Sequence, residues 1–375
     1  MLSCQRVYNC MRKNGIDFFV GVPDSYLNGF CNYILENTEE NKTVIAANEG
    51  NAIAIAAGHY IASGNISLVY MQNSGLGNTI NPLASLTDEY VYGIPMLLLI
   101  GWRGKPQTGD WAQHTRQGQI TPALLDNMDI QYDILVDNDD EAEKQIYSAL
   151  DYIKKEKKTY ALIVPNKVLS GSKTNDRIGE FAMSRREAME SILDVFPKET
   201  FYVATTGRAT RELFFLREDR NESKHHDFLN VGAMGHTSSI AFGIALTKPN
   251  KNVVVLDGDG AAIMHLGSIT TPVKYGLNNY YHIILNNCAH ESVGGQPTAG
   301  KVIDFTSIAK ACGYATVGKA VVKKEELQKA IKELKEKTGP KFLEIKINKG
   351  MSKMLPPLDF DIKESLIEIM KEINC

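Results

Sequence analysis

The sequence reads as an α/β protein made of two doubly wound parallel-sheet domains, and three observations lead there. Short apolar runs such as the one over residues 252–256 have the continuous hydrophobicity of strands buried on both faces. Such runs alternate with helix-length segments along the 375 residues, which is the pattern of βαβ units. The alternation breaks once, over the polar and aperiodic stretch 166–183. That stretch reads as a linker between domains 1–165 and 184–375.

In chain order, residues 3–14 are expected as a helix stopped by Gly15, and 16–22 as a strand running into Gly21-Val22-Pro23-Asp24-Ser25. A helix (26–36) and a strand (43–47) follow, and Asn48-Glu49-Gly50-Asn51-Ala52 opens an alanine-rich helix to about residue 63. Strand 66–71 leads through Gln72-Asn73-Ser74-Gly75-Leu76-Gly77-Asn78 into a helix ending near residue 90. Strand 95–101 enters a long polar loop, 102–118, before helix 119–127, strand 132–136, helix 139–155 and strand 160–164. In the second domain Ser184, with Glu187 three residues on, has the form of a capping box for a helix to residue 196. Strand 200–204, helix 208–217, strand 228–231 and helix 237–246 precede the strand at 252–256. Beyond residue 288 come a loop to 301, helix 304–312, strand 315–317, helix 323–337, strand 341–347 and a last helix, 362–373.

The totals exclude several classes. With 41 basic and 44 acidic residues the net charge is −3, and no basic block is interleaved with aromatics, so nucleic acid is not an expected partner. Six cysteines lie scattered without metal-ligand spacing, as in a reduced, cytoplasmic protein. Residues 1–6 have no apolar signal core, and the hydrophobic run 96–100 is far too short for a membrane span. The expectation is a soluble cytoplasmic chain with no membrane partner.

The most informative stretch is 252–289. After its first strand comes Asp257-Gly258-Asp259-Gly260-Ala261-Ala262, then a helix over 262–275 ended by Gly276, then a buried strand, 280–285, that delivers Asn286-Asn287. In a parallel sheet these two strand ends lie side by side at the carboxyl edge, where open α/β sheets bind ligands. The Asp259 carboxylate, the Asn287 amide oxygen and a carbonyl at Ala289 form a three-oxygen set of the kind Mg2+ takes. Phosphate oxygens and water fill the rest of its octahedron, and N–H groups at the following helix start hold the remaining phosphate charge. A nicotinamide-binding oxidoreductase would account for the glycine-rich turn but not for Asn286-Asn287 or Glu49.

This combination resembles the thiamine diphosphate signature of the pyruvate decarboxylase and acetolactate synthase superfamily. The resemblance implies the thiamine diphosphate-binding fold, pyrimidine-binding domain first and pyrophosphate-binding domain second, with no middle domain. It implies thiamine diphosphate and Mg2+ as cofactors, Asp259, Asn287 and Ala289 as metal ligands, and Gly258, Gly260 and Ala261 as cofactor contacts. Glu49 falls where that superfamily places its catalytic glutamate, against the ring nitrogen of the aminopyrimidine. Gly75-Leu76-Gly77 with Asn81 is similar to the glycine-rich turn of acetolactate synthases, with Leu76 in place of their proline. Gly232-Ala233-Met234-Gly235 is similar to the stretch that bends the cofactor, Met234 wedging between its rings and the Gly232 carbonyl accepting from its exocyclic amine. Gln113-His114-Thr115 stands where pyruvate decarboxylases carry paired histidines, so His114 alone carries over.

Gly21-Val22-Pro23-Asp24-Ser25, Gly101-Trp102-Arg103-Gly104, Asp110 with Gln113-His114, and Thr205-Thr206-Gly207 with Arg211-Glu212-Leu213-Phe214 narrow the resemblance. They are similar to the phosphonopyruvate decarboxylase family along essentially the whole chain, and less closely to sulfopyruvate decarboxylases. Trp111-Ala112 replaces that family's Glu-Pro. The implied reaction is decarboxylation of 3-phosphonopyruvate to phosphonoacetaldehyde and CO2 in phosphonate biosynthesis. Sulfopyruvate decarboxylation is the alternative, with acetolactate-synthase-like carboligation behind it. His114 and Asp24 are the candidates for returning a proton. A phosphonate carries nearly two negative charges and needs fixed cations. Those available are Arg103, Lys105 and Arg116 in the 102–118 loop, and Arg208 and Arg211 in the second domain. The resemblance further implies a small 2-oxo acid as substrate and self-association as a dimer or larger, with the active site between subunits.

Overall fold

A computed structural model describes residues 1–170, 179–350, 355–356 and 358–375. The chain separates into two compact units, Met1–Asn175 with Val293–Gln296, and Asp176–Ser292 with Pro297–Cys375. Of the linker expected over 166–183, residues 171–178 lie outside the described residues.

In the first unit the apolar runs form β1 (Phe19–Gly21), β2 (Thr43–Ile45), β3 (Leu68–Gln72), β4 (Leu97–Gly101), β5 (Gln131–Ile134) and β6 (Tyr160–Val164). They pair in the order β2-β1-β3-β4-β6-β5, parallel throughout. Helices α1 (Cys4–Lys13), α2 (Asn28–Asn37), α3 (Glu49–Ser63), α4 (Leu76–Pro82), α5 (Ala112–Asn127) and α6 (Asp139–Glu156) connect them. Strand β4 shows why its residues carry no polar alternation. Leu97 and Leu99 pack into one core with Phe19, Leu68 and Tyr70, while Leu98 and Ile100 pack into another with Val20, Val69 and Met71. Each fully buried Leu or Ile contributes about 1.5–3 kcal/mol, so both faces must stay covered.

The second unit repeats the plan. Helices α7 (Arg185–Val195), α8 (Arg208–Asp219) and α9 (Thr237–Thr247) alternate with β7 (Phe201–Ala204), β8 (Asp227–Leu229) and β9 (Val253–Gly258). Then come α10 (Asp259–Met264), α11 (Thr270–Lys274), β10 (Tyr280–Asn286), α12 (Phe305–Cys312), α13 (Lys324–Lys335), β11 (Lys341–Lys346) and α14 (Ile362–Asn374). The sheet order is β11-β10-β9-β7-β8, again parallel. Val254 and Leu256 face one core and Val253 and Val255 the other. The capping box expected at Ser184 and Glu187 starts α7. In both sheets the order reverses beside the first strand of the unit, and at such a switch point the carboxyl ends of neighbouring strands open a crevice.

Three elements depart from the sequence reading. The helix expected over 262–275 breaks at His265 into α10, a short 3-10 turn (Leu266–Ile269) and α11. Residues 315–317 form no strand; Ala315 makes only an isolated bridge to Lys341 at the sheet edge. The expected loop 102–118 is shorter, because α5 already begins at Ala112 and takes up His114 and Arg116. Gly118 and Pro122 suggest loop and helix start, yet both lie inside α5. Pro122 has no N–H to offer the Gly118 carbonyl one turn earlier, and the Trp102 indole N–H takes that carbonyl instead at 2.9 Å. Gly118 packs so closely on Gly104 that any Cβ would overlap the Gly104 backbone.

Gly118→Ala should therefore destabilise the first unit by about 3 kcal/mol or more, above the ordinary range for overpacking, because the obstacle is backbone. Tryptophan fluorescence during urea unfolding checks this, since Trp102 and Trp111 both lie in that unit.

Candidate active site

At the carboxyl edge of the first sheet, α3 opens directly on Glu49. The side chain is 5% exposed, and its Oε2 accepts the Asn78 amide N–H at 2.7 Å. Burial raises its pKa, with the Asn78 hydrogen bond opposing. Gly75 lies against the carboxyl group, where any Cβ would overlap it. Gly75 thus packs against Glu49, and the amide that touches Glu49 is Asn78; the sequence reading made neither connection. Asn81 is exposed one turn further along α4 and accepts from the Ser85 hydroxyl at 2.9 Å.

Asp24, just beyond β1, is wholly buried. It accepts the Gln72 amide at 2.5 Å and the Tyr26 backbone N–H at 2.9 Å. Burial raises its pKa against those hydrogen bonds. Beyond β4, Arg103 is clamped by Asp110 through Nε at 2.8 Å and Nη2 at 2.6 Å, and its Nη1 donates to the Ser25 hydroxyl at 3.0 Å. The guanidinium also lies over the Tyr26 ring. Burial pushes Asp110 up, but the Arg103 pair and two backbone N–H groups outweigh it and hold the carboxyl well below its usual range. Three N–H bonds are used, which leaves one on each terminal nitrogen of Arg103 for an anion. These side chains line an open groove with Trp111 and Asn166.

His114, on the first turn of α5, has its pKa lowered to about 4 by burial and the Arg103 charge, so it is neutral at pH 7. Its Nδ1 is buried with no partner among the described residues. Lys105 reaches over the Trp102 ring, and Arg116 is exposed on α5.

In the second unit Asp259 begins α10, 2% exposed. It accepts the Thr298 hydroxyl and the Asn287 backbone N–H, and burial raises its pKa to about 6. Asn286 is tied to Gly300 and Glu344, each at 2.8 Å, and serves the fold. Asn287 faces the other way: Nδ2 donates to Glu291 at 2.9 Å, and Oδ1 accepts the Ala289 N–H at 3.1 Å. Asp259, Asn287 and Ala289 are thus contiguous and buried. A carboxylate, an amide oxygen and a carbonyl are hard donors, and no group of three His, Cys, Asp or Glu side chains among the described residues offers a competing softer site. The donor set fits Mg2+, and Asp259, raised only to about 6, is still mostly ionised at pH 7 and able to meet a cation.

Gly258, Gly260 and Ala261 form the turn around Asp259, and a Cβ on Gly260 would meet the His290 ring at 3.0 Å. Gly232 donates its N–H to Asn230 at 3.2 Å, and Met234 is half-buried on the turn before α9. Arg208 pairs with Glu291 at 2.7 Å, and Arg211 has no side-chain partner among the described residues. Thr298 and Glu291 escaped the sequence reading because they meet Asp259 and Asn287 from a loop rather than a motif, and Arg185 because it reaches only Glu291.

Two family models match this chain, the N-terminal TPP binding domain of thiamine pyrophosphate enzymes over residues 4–130 and the C-terminal TPP binding domain over 206–345. The chain is 33% identical over 352 residues to a phosphonopyruvate decarboxylase of Streptomyces viridochromogenes, covering 90% of this chain and 86% of that one. A phosphonopyruvate decarboxylase of Streptomyces hygroscopicus is 32% identical, with 93% and 88% covered. A sulfopyruvate decarboxylase of Methanosarcina acetivorans is 28% identical, with 92% and 91% covered.

The burial of Glu49 has a pH signature. A folded-state pKa above the unfolded value of 4.5 makes folding favour the protonated acid, so wild-type stability falls as pH rises through the folded pKa. Glu49→Gln removes that penalty. The cofactor-free variant should melt above wild type at pH 8, with the gap closing towards pH 4.5. A gap independent of pH in thermal unfolding would refute the protonated, buried carboxyl.

Proposed function

The chain belongs to the phosphonopyruvate decarboxylase family of thiamine pyrophosphate enzymes, which are 2-oxo acid decarboxylases, and from that premise we propose that it converts 3-phosphonopyruvate and a proton to phosphonoacetaldehyde and CO2. The observation that carries the choice of substrate is Arg103, fixed by Asp110 and Ser25 with one N–H left on each terminal nitrogen, lining a groove with Asp24 and His114 nearby. A planar fork of this kind suits an oxyanion bidentately.

When bound, thiamine diphosphate supplies the electron sink that carbon–carbon cleavage requires. The Asp259 carboxylate, the Asn287 amide oxygen and the Ala289 carbonyl would hold Mg2+, and N–H groups at the start of α10 face the same edge. Burial biases Glu49 towards its protonated form, the form that can share a proton with a ring nitrogen. Burial biases Asp24 the same way, which makes it the candidate donor for the carbon that loses CO2. His114, being neutral, can pass a proton but does not hold a permanent charge beside Arg103.

Self-association belongs to the proposal. The exposed side of α3 carries Ala54, Ile55, Gly58, Ile61 and Ala62, a charge-free stripe on the helix that begins with Glu49. A second copy is the occupant proposed for it, in a dimer or larger assembly. Gly58→Lys should then yield monomers in analytical ultracentrifugation, and unchanged assembly would remove this face from the interface.

A second reading, sulfopyruvate decarboxylation, gains from one observation: Asp110 offsets much of the Arg103 charge, which also suits a singly charged sulfonate. CO2 release from phosphonopyruvate, sulfopyruvate and pyruvate, with thiamine diphosphate and Mg2+ present, separates the two. The expected order of kcat/KM is phosphonopyruvate first. Arg103→Ala should lower it about tenfold to a hundredfold, the equivalent of a charge-assisted hydrogen bond worth about 1.5–3 kcal/mol. Any residual pyruvate turnover should change little. Equal losses on both substrates would make Arg103 a prop for Asp110 instead.

A further inference from the structure

Glu291 lies four residues past Asn287 in the loop after β10, its side chain 9% exposed, and takes donors from four segments. Arg185 Nη2, at the start of α7, donates to Oε2 at 2.5 Å. Arg208 Nη1, at the start of α8, donates to Oε1 at 2.7 Å, and its Nη2 donates to the Glu291 carbonyl at 3.3 Å. Asn287 Nδ2 donates to Oε2 at 2.9 Å, and the Gly350 N–H donates to Oε1. The family motifs assign Glu291 no role.

The chemistry of this junction decides how Asn287 stands. A carboxylate can only accept, so the NH2 of Asn287 has to face Glu291; the turned-over amide would set oxygen against oxygen. Oδ1 is thereby forced to the opposite side, where it meets the Ala289 N–H and keeps a lone pair. The amide torsion is broad and roughly two-fold, so without a one-sided partner the NH2 end can take the place of the oxygen. That end has no lone pair for a cation. Two arginines on one carboxylate keep Glu291 from swinging into the site as a ligand itself.

We propose that Glu291 is a positioning residue for the divalent cation: it holds Asn287 with its oxygen presented to the metal, and Arg185 and Arg208 hold Glu291. This rests on the assignment of Asp259, Asn287 and Ala289 as the metal set. Partners that orient a metal ligand typically cost 10–100-fold in metal affinity when altered.

Mg2+ titrated calorimetrically into each variant at saturating thiamine diphosphate tests it without reference to turnover. Glu291→Gln, whose amide accepts either orientation of Asn287, should weaken Mg2+ binding about tenfold to a hundredfold. Asn287→Asp alone should also weaken it, although it adds a charged ligand, because two carboxylates would then face each other. The double variant E291Q/N287D restores one donor and one acceptor, and either carboxylate oxygen serves the metal, so affinity should return to near wild type. That recovery is beyond a merely structural role, and Asn287→Asp keeps the question open to test if Glu291→Gln fails to fold. Wild-type affinity in Glu291→Gln, tighter binding in Asn287→Asp, or a double variant no better than its parents overturns the inference. Asp259→Ala is the control. Lost binding there beside intact binding in Glu291→Gln sinks only the role of Glu291, whereas intact binding in Asp259→Ala sinks the metal assignment and this inference with it.

Discussion

A carboxylate taken out of water must find a replacement for its hydration, or it takes up a proton, and this chain stakes its chemistry on that constraint in each unit. Glu49 has one amide partner, Asn78, and a pKa raised by burial. Asp259 has a hydroxyl and backbone N–H partners, and burial likewise raises its pKa, to about 6. Both begin helices, where the dipole would favour a negative charge, yet burial outweighs that contribution. The outcomes suit different tasks. Burial biases Glu49 towards the proton it would share, whereas Asp259, at about 6, still ionises at neutral pH and can meet a cation.

The parallel sheets explain why both acids stand where they do. A doubly wound sheet buries its strands on both faces, so the polar side chains of a site gather where strands end. In the first unit Asp24, Gln72 and Arg103 follow or end β1, β3 and β4 at one edge. In the second, Asp259 and Asn287 follow β9 and β10. Glycine makes the close contacts possible. Gly75 gives Glu49 its place, and a Cβ on Gly300 would lie 2.6 Å from an Asp259 oxygen. Such positions tolerate no larger residue without moving the acid.

Much of this was legible in the chain itself. Runs such as Leu97–Ile100 in β4 and Val253–Leu256 in β9 are apolar at every position, which announces a sheet covered on both sides. Motifs carried by adjacent residues, Asp259 with its glycines or Asn286-Asn287, declare their chemistry by spacing. Contacts made across long loops do not. Thr298 is 39 residues from Asp259, and nothing in its neighbours says which acid it serves. Asn78 and Asn81 both sit on α4, and only the start of the helix at Leu76 decides which of them reaches Glu49. The early start of α5 was hidden because Gly118 and Pro122 look like breakers. Their cost is met by contacts with Trp102 and Gly104 that no local reading can anticipate.

The two arginine clusters differ in how acid and arginine hold one another. Arg103 meets Asp110 through two of its nitrogens, so the pair is close to neutral as a charge, and one N–H on each terminal nitrogen is left over beside a groove. An arginine held this way gains less from an anion's total charge than from its oxygen geometry. Arg185 and Arg208 each reach the Glu291 carboxylate through one terminal nitrogen, and Glu291 in turn takes the Asn287 amide. In the first unit an acid fixes an arginine that still has N–H groups to offer, and in the second the arginines fix an acid.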